Sequence, residues 1–297
     1  MILIIIRDSF FKFIQLSLFA DCTFCLLKIN NRDMSKYNRR QLIKTMGVGA
    51  VALTTPGLFN WVNTGSTDKK HIITLSFDDG FKKSSLLTAE IFEKYKLSAC
   101  INVIATGHLS TFKIPDEYQV TEKGDFVLWN ELKARGHEIM PHGYKHANKA
   151  QMPLQDAKDL IKLCLDYFSE HLNDFKPREA IFNFPYNAST PELETWLSDE
   201  VMAFRTGGPG VNPLPYKGQK KLTCSAFGPG STEAYLEQEI KALLELPSGW
   251  LIYNTHGLNG EGWGTMSSDF LDRLLDKLTS IDSVAILPAG KALAAIR

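Results

Sequence analysis

From His71 onward the chain alternates apolar, strand-like runs with amphipathic helical segments, and that alternation is the strongest constraint on its fold. Strands read at 72–77, 98–104, 137–140, 179–184, 200–205, 221–226, 249–255 and 283–287. Helices read at 82–96, 129–135, 153–172, 191–198, 232–246, 267–279 and 290–296. In 153–172, Leu154, Ala157, Ile161, Leu165 and Phe168 recur at helical spacing and leave Lys158, Asp159, Lys162 and Asp166 outward. Thr190 before Pro191 marks a helix start, because the hydroxyl caps free amides and proline at the first helical position loses no hydrogen bond. Strands separated by helices imply a parallel sheet. Seven or eight such units predict an α/β fold of the distorted or incomplete (β/α) barrel type. A doubly wound open sheet competes, but no glycine-rich phosphate loop follows the first strand. The segment 105–128, with Gly107, Pro115 and Gly124, reads as a long loop over one end of the sheet.

Charge narrows the partners. Lysine plus arginine equals aspartate plus glutamate at 33 each, so nothing in the balance points to a polyanion partner or a strongly basic nucleic-acid surface. Among the five cysteines, Cys100 and Cys164 sit in apolar patterns as core residues, and Cys22/Cys25 form an isolated CxxC with no second pair. No disulfide framework is implied.

The N-terminal region reads as targeting sequence. Arg39-Arg40, then Leu42-Ile43-Lys44 and a mild Gly/Ala/Val/Leu run, predict a twin-arginine-like export signal over 34–66 and an exported, periplasmic or extracellular product. Residues 1–33 are apolar but broken by Arg7, Lys12 and Asp21, a poor membrane span. The expectation is that translation begins at Met34 and that 1–33 is a mis-called extension. The catalytic domain is then 67–297, with no stable membrane span.

The chemistry is concentrated at strand ends, where barrel folds gather function. The first strand ends Ser76-Phe77-Asp78-Asp79-Gly80. Adjacent carboxylates repel, so the pair asks for a cation. His142 and His146, four apart, can face one ion together. Other strand ends carry Asn183-Phe184-Pro185-Tyr186, Arg205-Thr206-Gly207 and Asn254-Thr255-His256. His71, His137 and His171 read as structural, and His108 is left open.

These motifs resemble the polysaccharide deacetylase family, the NodB-homology carbohydrate esterases. SFDDG at 76–80 matches its first motif and HGYKH at 142–146 its histidine motif. FNFPY at 182–186 and LIYNTHG at 251–257 match the later motifs in degenerate form, and the likeness spans roughly 70–295. The resemblance implies that Asp79, His142 and His146 hold one divalent metal. Zinc is the default, and cobalt, nickel, manganese or iron also suit the ligands. It implies Asp78 as general base, the backbone N–H of Tyr186, set by Pro185, as oxyanion donor, and His256 as the acid that protonates the leaving atom.

Three departures stand out. Asn183 occupies the position of an arginine that orients the base, and it cannot supply charge. Arg205, on the same rim, is the expected substitute. Asn254 and Thr255 replace apolar residues at the acyl pocket, where Trp263 could restore an apolar wall and stack on a sugar. No Asp-Trp pair tunes His256, and Asp269, the nearest downstream carboxylate, reads as part of a helix first turn. The leading expectation is metal-dependent removal of N- or O-linked acetyl groups from a glycan or small acetylated sugar. The alternatives are a metal-dependent amidohydrolase on a small cyclic amide and a non-catalytic glycan-binding protein.

Overall fold

The computed structural model describes residues 69–113 and 121–296. The extension at 1–33, the export signal at 34–66 and the Cys22/Cys25 pair lie outside the described residues. The elements are β1 (His71–Phe77), α1 (Lys82–Lys94), β2 (Cys100–Val103), α2 (Phe126–Ala134), β3 (Glu138–Pro141), α3 (Leu154–His171), β4 (Ile181–Asn183), α4 (Pro191–Leu197), β5 (Ala203–Gly207), β6 (Val211–Asn212), β7 (Lys221–Cys224), α5 (Thr232–Glu245), β8 (Gly249–Thr255), α6 (Ser268–Thr279), β9 (Val284–Ile286) and α7 (Ala289–Ala294). No helix among the described residues is long and apolar enough to cross a membrane.

The strands form two sheets. One runs β3-β2-β1-β8-β6, with β9 also on β1, and the other runs β4-β5-β7. All pairings are parallel except β6 on β8. β1 is buried at all seven positions and pairs with β8 along its whole length, from His71↔Gly249 to Phe77↔Thr255. Its other edge is shared, β9 taking the start and β2 the end. Burial at every position, polar Thr74 and Ser76 included, suits a strand covered on both faces. A bridge between Ser225 and Tyr253 joins the end of β7 to β8. No ladder closes β3 onto β4 among the described residues, so the expected incomplete barrel is the observed architecture.

Alternation along the strands sorts the core into two clusters. Ile73, Leu75, Phe77, Leu251 and Tyr253 pack under the helices. Ile72, Ile181, Ala203, Leu222, Trp250 and Ile252 face the barrel interior, where Ala289, Ala292 and Leu293 of α7 join them at the floor. Buried Glu138 secures that floor by accepting from the backbone N–H groups of Gly290 (3.0 Å) and Lys291 (3.1 Å).

The predicted elements are present, with two corrections. α2 begins at Phe126 rather than 129, because Asp125 accepts from Leu128 N at 3.0 Å and caps the turn. The described part of the 105–128 loop therefore stops at 125. The two-residue strand β6 carries too little pattern to read from sequence. The Thr190 cap on α4 is present. His137 is structural as read: its Nδ1 accepts from Ala99 N and its Nε2 meets Glu93 at 3.0 Å.

Candidate functional site

At the C-terminal ends of the strands the barrel interior turns polar. After β1 the chain makes a left-handed turn at Asp79 (φ 74°) and Gly80 (φ 67°). Asp78 stays tied to the ladder through its N–H, which donates to Thr255 O at 2.9 Å. Its side chain is 2 % exposed, while that of Asp79 lies nearer the mouth at 14 %. His142 extends β3, with its N–H on Val103 O at 2.8 Å, and His146 follows at φ 45°.

Asp79, His142 and His146 converge, with ligand atoms within 4.8 Å of one another. His142 Nε2 and His146 Nε2 lie 3.5 and 3.3 Å from Asp79 Oδ1. His142 Nδ1 lies 3.0 Å from the Asn183 carbonyl, which can only accept, so that nitrogen carries the proton. Burial lowers the pKa of His142 to about 4, so the ring is neutral near pH 7 and its Nε2 presents a lone pair. That lone pair faces both Asp78 Oδ2 and Asp79 Oδ1 at 3.5 Å. Asp79 Oδ1 is buried with no hydrogen-bond donor among the described residues. Lone pairs facing an undonated carboxylate oxygen fit a cation between them. The donor set, two imidazoles and a carboxylate, suits a divalent metal.

Asp78 lives in a sealed pocket. Arg205 on β5 donates through Nη1 to Oδ1 (3.0 Å) and through Nη2 to Oδ2 (2.5 Å). Asn102 Nδ2 donates to Oδ1 at 2.6 Å and to Ser76 Oγ at 2.7 Å. Asn183 Nδ2 in turn donates to Asn102 Oδ1 at 2.9 Å. Asn183 and Arg205 are register partners on adjacent strands, so the guanidinium stands one strand over at the same level. Burial alone would raise the Asp78 pKa, but the Arg205 charge, followed by His142, holds it below its ordinary value. Arg205 is pushed up by the same pairing, against burial.

The rim completes the site. The segment Glu122–Gly124 lies on the Gly80–Lys82 turn, through Lys82 N to Glu122 O (2.9 Å) and Gly124 N to Gly80 O (3.0 Å). This brings Lys123 Nζ to 4.0 Å from Asp79 Oδ2 and 3.2 Å from the Phe81 ring centre. Tyr186, after Pro185, takes φ 58° and sets its half-exposed ring 4.7 Å from that of His146. His256 follows β8 and meets the edge of Trp263 at 5.6 Å. Its Nδ1 is buried and finds no hydrogen-bond partner among the described residues, and Asp269 sits in the first turn of α6. Asn254 is buried, its Oδ1 3.4 Å from Asn187 Nδ2. Glu261 accepts from both N and Oγ of Ser84 (2.8 and 2.5 Å), so Glu261, rather than either aspartate of the pair, caps α1.

The structure therefore gathers Asp78, Asp79, His142, His146, Asn183 and Arg205 into one cluster, with Pro185, Tyr186, His256 and Trp263 on the loops around it. Sequence reading missed Asn102, Ser76 and Lys123. Asn102 and Ser76 had a signal, as polar residues at inward positions of otherwise apolar strands. Lys123 had none, since it reaches the site by loop pairing.

Comparison with known proteins agrees with this architecture. The polysaccharide deacetylase family model matches residues 65–199. No curated protein matches the sequence. Among solved structures, a putative polysaccharide deacetylase from Mycobacterium smegmatis superposes with TM-score 0.56 at 14% identity, over 77% of this chain and 91% of that one. A family 4 acetyl xylan esterase from Clostridium thermocellum, in complex with a cobalt ion, gives 0.51 at 16% identity, over 76% and 93%. A CE4 family pseudoenzyme from Bacillus anthracis gives 0.52 at 13%, over 77% and 68%. At these identities the likeness is one of fold. The family match covers Asp78, Asp79, His142, His146, Asn183 and Tyr186, and these residues assemble at the mouth of a fold that resembles that of the polysaccharide deacetylases.

Proposed function

We propose that this protein is a metal-dependent hydrolase that removes acetyl groups from a carbohydrate. The observation that carries the reading is the pairing of an undonated carboxylate, Asp79, with two neutral-facing imidazoles, directly beside a second carboxylate held by Arg205. Asp79, His142 and His146 would hold one divalent ion. When bound, such an ion polarises a carbonyl and acidifies water.

The remaining work falls to the chain's own residues. Asp78 accepts the proton of the attacking water at Oδ2, the oxygen that faces the ion site. Arg205 and Asn102 fix that carboxylate, so its proton affinity is set by the barrel and not by solvent. The Tyr186 N–H donates to the oxyanion formed on the acetyl carbonyl. His256 returns a proton to the leaving nitrogen or oxygen. Trp263 and Tyr186 offer aromatic faces for a sugar ring. On this reading the protein acts outside the cytoplasm, after export on the 34–66 signal.

The test measures bound divalent metal and acetate release from acetylated glycans and aryl acetates, in wild type and Asp78→Asn. Retained metal with lost acetate release supports the reading; a metal-free wild type, or an unaffected variant, overturns it. One observation favours a second reading. The buried Asn254, against Asn187, gives the acyl pocket a polar wall, which suits a small cyclic amide. Ring-opening of cyclic amides with no acetate release would select it.

A further inference from the structure

Lys123 stands in an unusual place for a cation. Its side chain is 6 % exposed and its Nζ lies 4.0 Å from Asp79 Oδ2, on a carboxylate whose other oxygen faces the two imidazoles. The position is built. Lys123 bridges to Phe81 in a short antiparallel pairing, flanked by the two backbone hydrogen bonds that fasten 122–124 onto the turn after β1. The ammonium rests over the Phe81 ring, which fixes its height above the site. The other carboxylate near it, Glu261, is already taken up by Ser84. Glu261 also acts on the ammonium through its charge, so Asp79 is the larger of two acidic influences and the one in ion-pair contact.

A fixed positive charge beside a metal ligand repels the ion that ligand is meant to hold. The repulsion is strong because both partners are shielded from water. We propose that Lys123 is a resident counter-ion of Asp79 that competes with the divalent metal and sets the affinity of the site. The inference rests on the assignment of Asp79, His142 and His146 as metal ligands. Lys123 keeps Asp79 neutralised before the ion arrives, and the ion must displace it electrostatically. The cost is weaker loading; the return is a carboxylate that stays in position without metal.

The experiment is calorimetric titration of the metal-free protein with Zn2+ alone, with unfolding monitored in parallel. Lys123→Met keeps most of the stem over Phe81 and removes the charge; it is expected to tighten Zn2+ binding by about tenfold or more. Lys123→Arg keeps the charge and is expected to stay within about threefold of wild type. If Lys123→Met does not fold, Lys123→Gln carries the same expectation. Lys133→Met, which removes a charge on α2 away from the site, is expected to change nothing. Unchanged or weaker Zn2+ binding in the charge-removing variants, with wild type binding normally, overturns the proposal and leaves the metal reading intact. Absence of Zn2+ binding in wild type and variants alike overturns both.

Discussion

Asp78 and Asp79 are adjacent in sequence, yet they belong to two regions that the fold treats in opposite ways. Asp78 accepts from Arg205 twice and Asn102 once, with Ser76 and Asn183 locking the donors in turn, and meets His142 only through Oδ2 at 3.5 Å. Around Asp79 the nearest side-chain atoms are imidazole nitrogens and a lysine held 4.0 Å away. The first region is complete in itself. The second, on the proposed reading, is completed by an ion. The lesson is that one sharp turn after a strand suffices to give two identical side chains different chemical assignments, one sealed into the barrel and one turned to its mouth.

Chemistry gives the largest way to break this contrast. Chelation is expected to drop acetate release to background in wild type, with recovery on adding Zn2+. Asp78→Asn is expected to keep its metal and lose about 10²–10⁴-fold in kcat. If Asp79→Asn also kept metal, the two regions would not differ as described. Stability comes next. Arg205→Ala leaves a buried carboxylate without its charge partner and is expected to cost about 3–5 kcal/mol in urea unfolding. Metal-free Asp79→Asn gives up no hydrogen bond at Oδ1 and only the 4.0 Å contact of Oδ2 with Lys123, and is expected to lose less than Arg205→Ala.

A third test sharpens the sealed region. Asn183 and Arg205 face each other in register. Exchanging them, as Asn183→Arg with Arg205→Asn, is expected to recover at least about tenfold of the kcat lost in Arg205→Asn alone, since a charge-assisted pair to Asp78 is restored. No recovery would mean that the strand from which the guanidinium comes matters as much as its charge.

The smallest effect is in pH. The folded pKa of Asp78 lies below its ordinary value, despite burial, because of Arg205. The group therefore contributes stability above the unfolded value of about 3.9, and that contribution is lost as pH falls through the folded value. In Arg205→Met burial loses its largest opponent, so the destabilisation is expected to be greatest at pH 7 and to shrink below about pH 4. Urea unfolding at the two pH values checks the sign.

Much of this was legible in the sequence. Strand and helix periodicity placed the elements, because the central strands β1 and β8 are rich in apolar residues and buried throughout and each long helix has one apolar stripe. The metal candidates were legible because three ligand residues, one carboxylate and two imidazoles, fell just past strand ends. Arg205 was legible only as a substitute for Asn183, since the rim position is read from the end of β5. Asn102 was passed over because an asparagine within the apolar run 98–104 looks like a lone polar residue until its neighbours across the barrel are known. Lys123 lay in a segment with no periodicity, and its approach to Asp79 depends on three backbone contacts that no pattern encodes. The solitary Nδ1 of His256 is likewise a property of the assembled loops.

The pairing of β1 with β8 has a consequence in time. The strand that carries the acid pair finds its full-length partner about 180 residues later, from His71↔Gly249 to Phe77↔Thr255. The ladder at the centre of the barrel is therefore among the most distant contacts in the chain, and such contacts form late and slowly. A growing chain cannot complete the ladder on β1 until residue 255 has emerged; before then the 65–199 stretch can pair β1 with β2 and β2 with β3 but lacks β8. Completion of the central ladder is therefore a late event, and the candidate site is assembled with it.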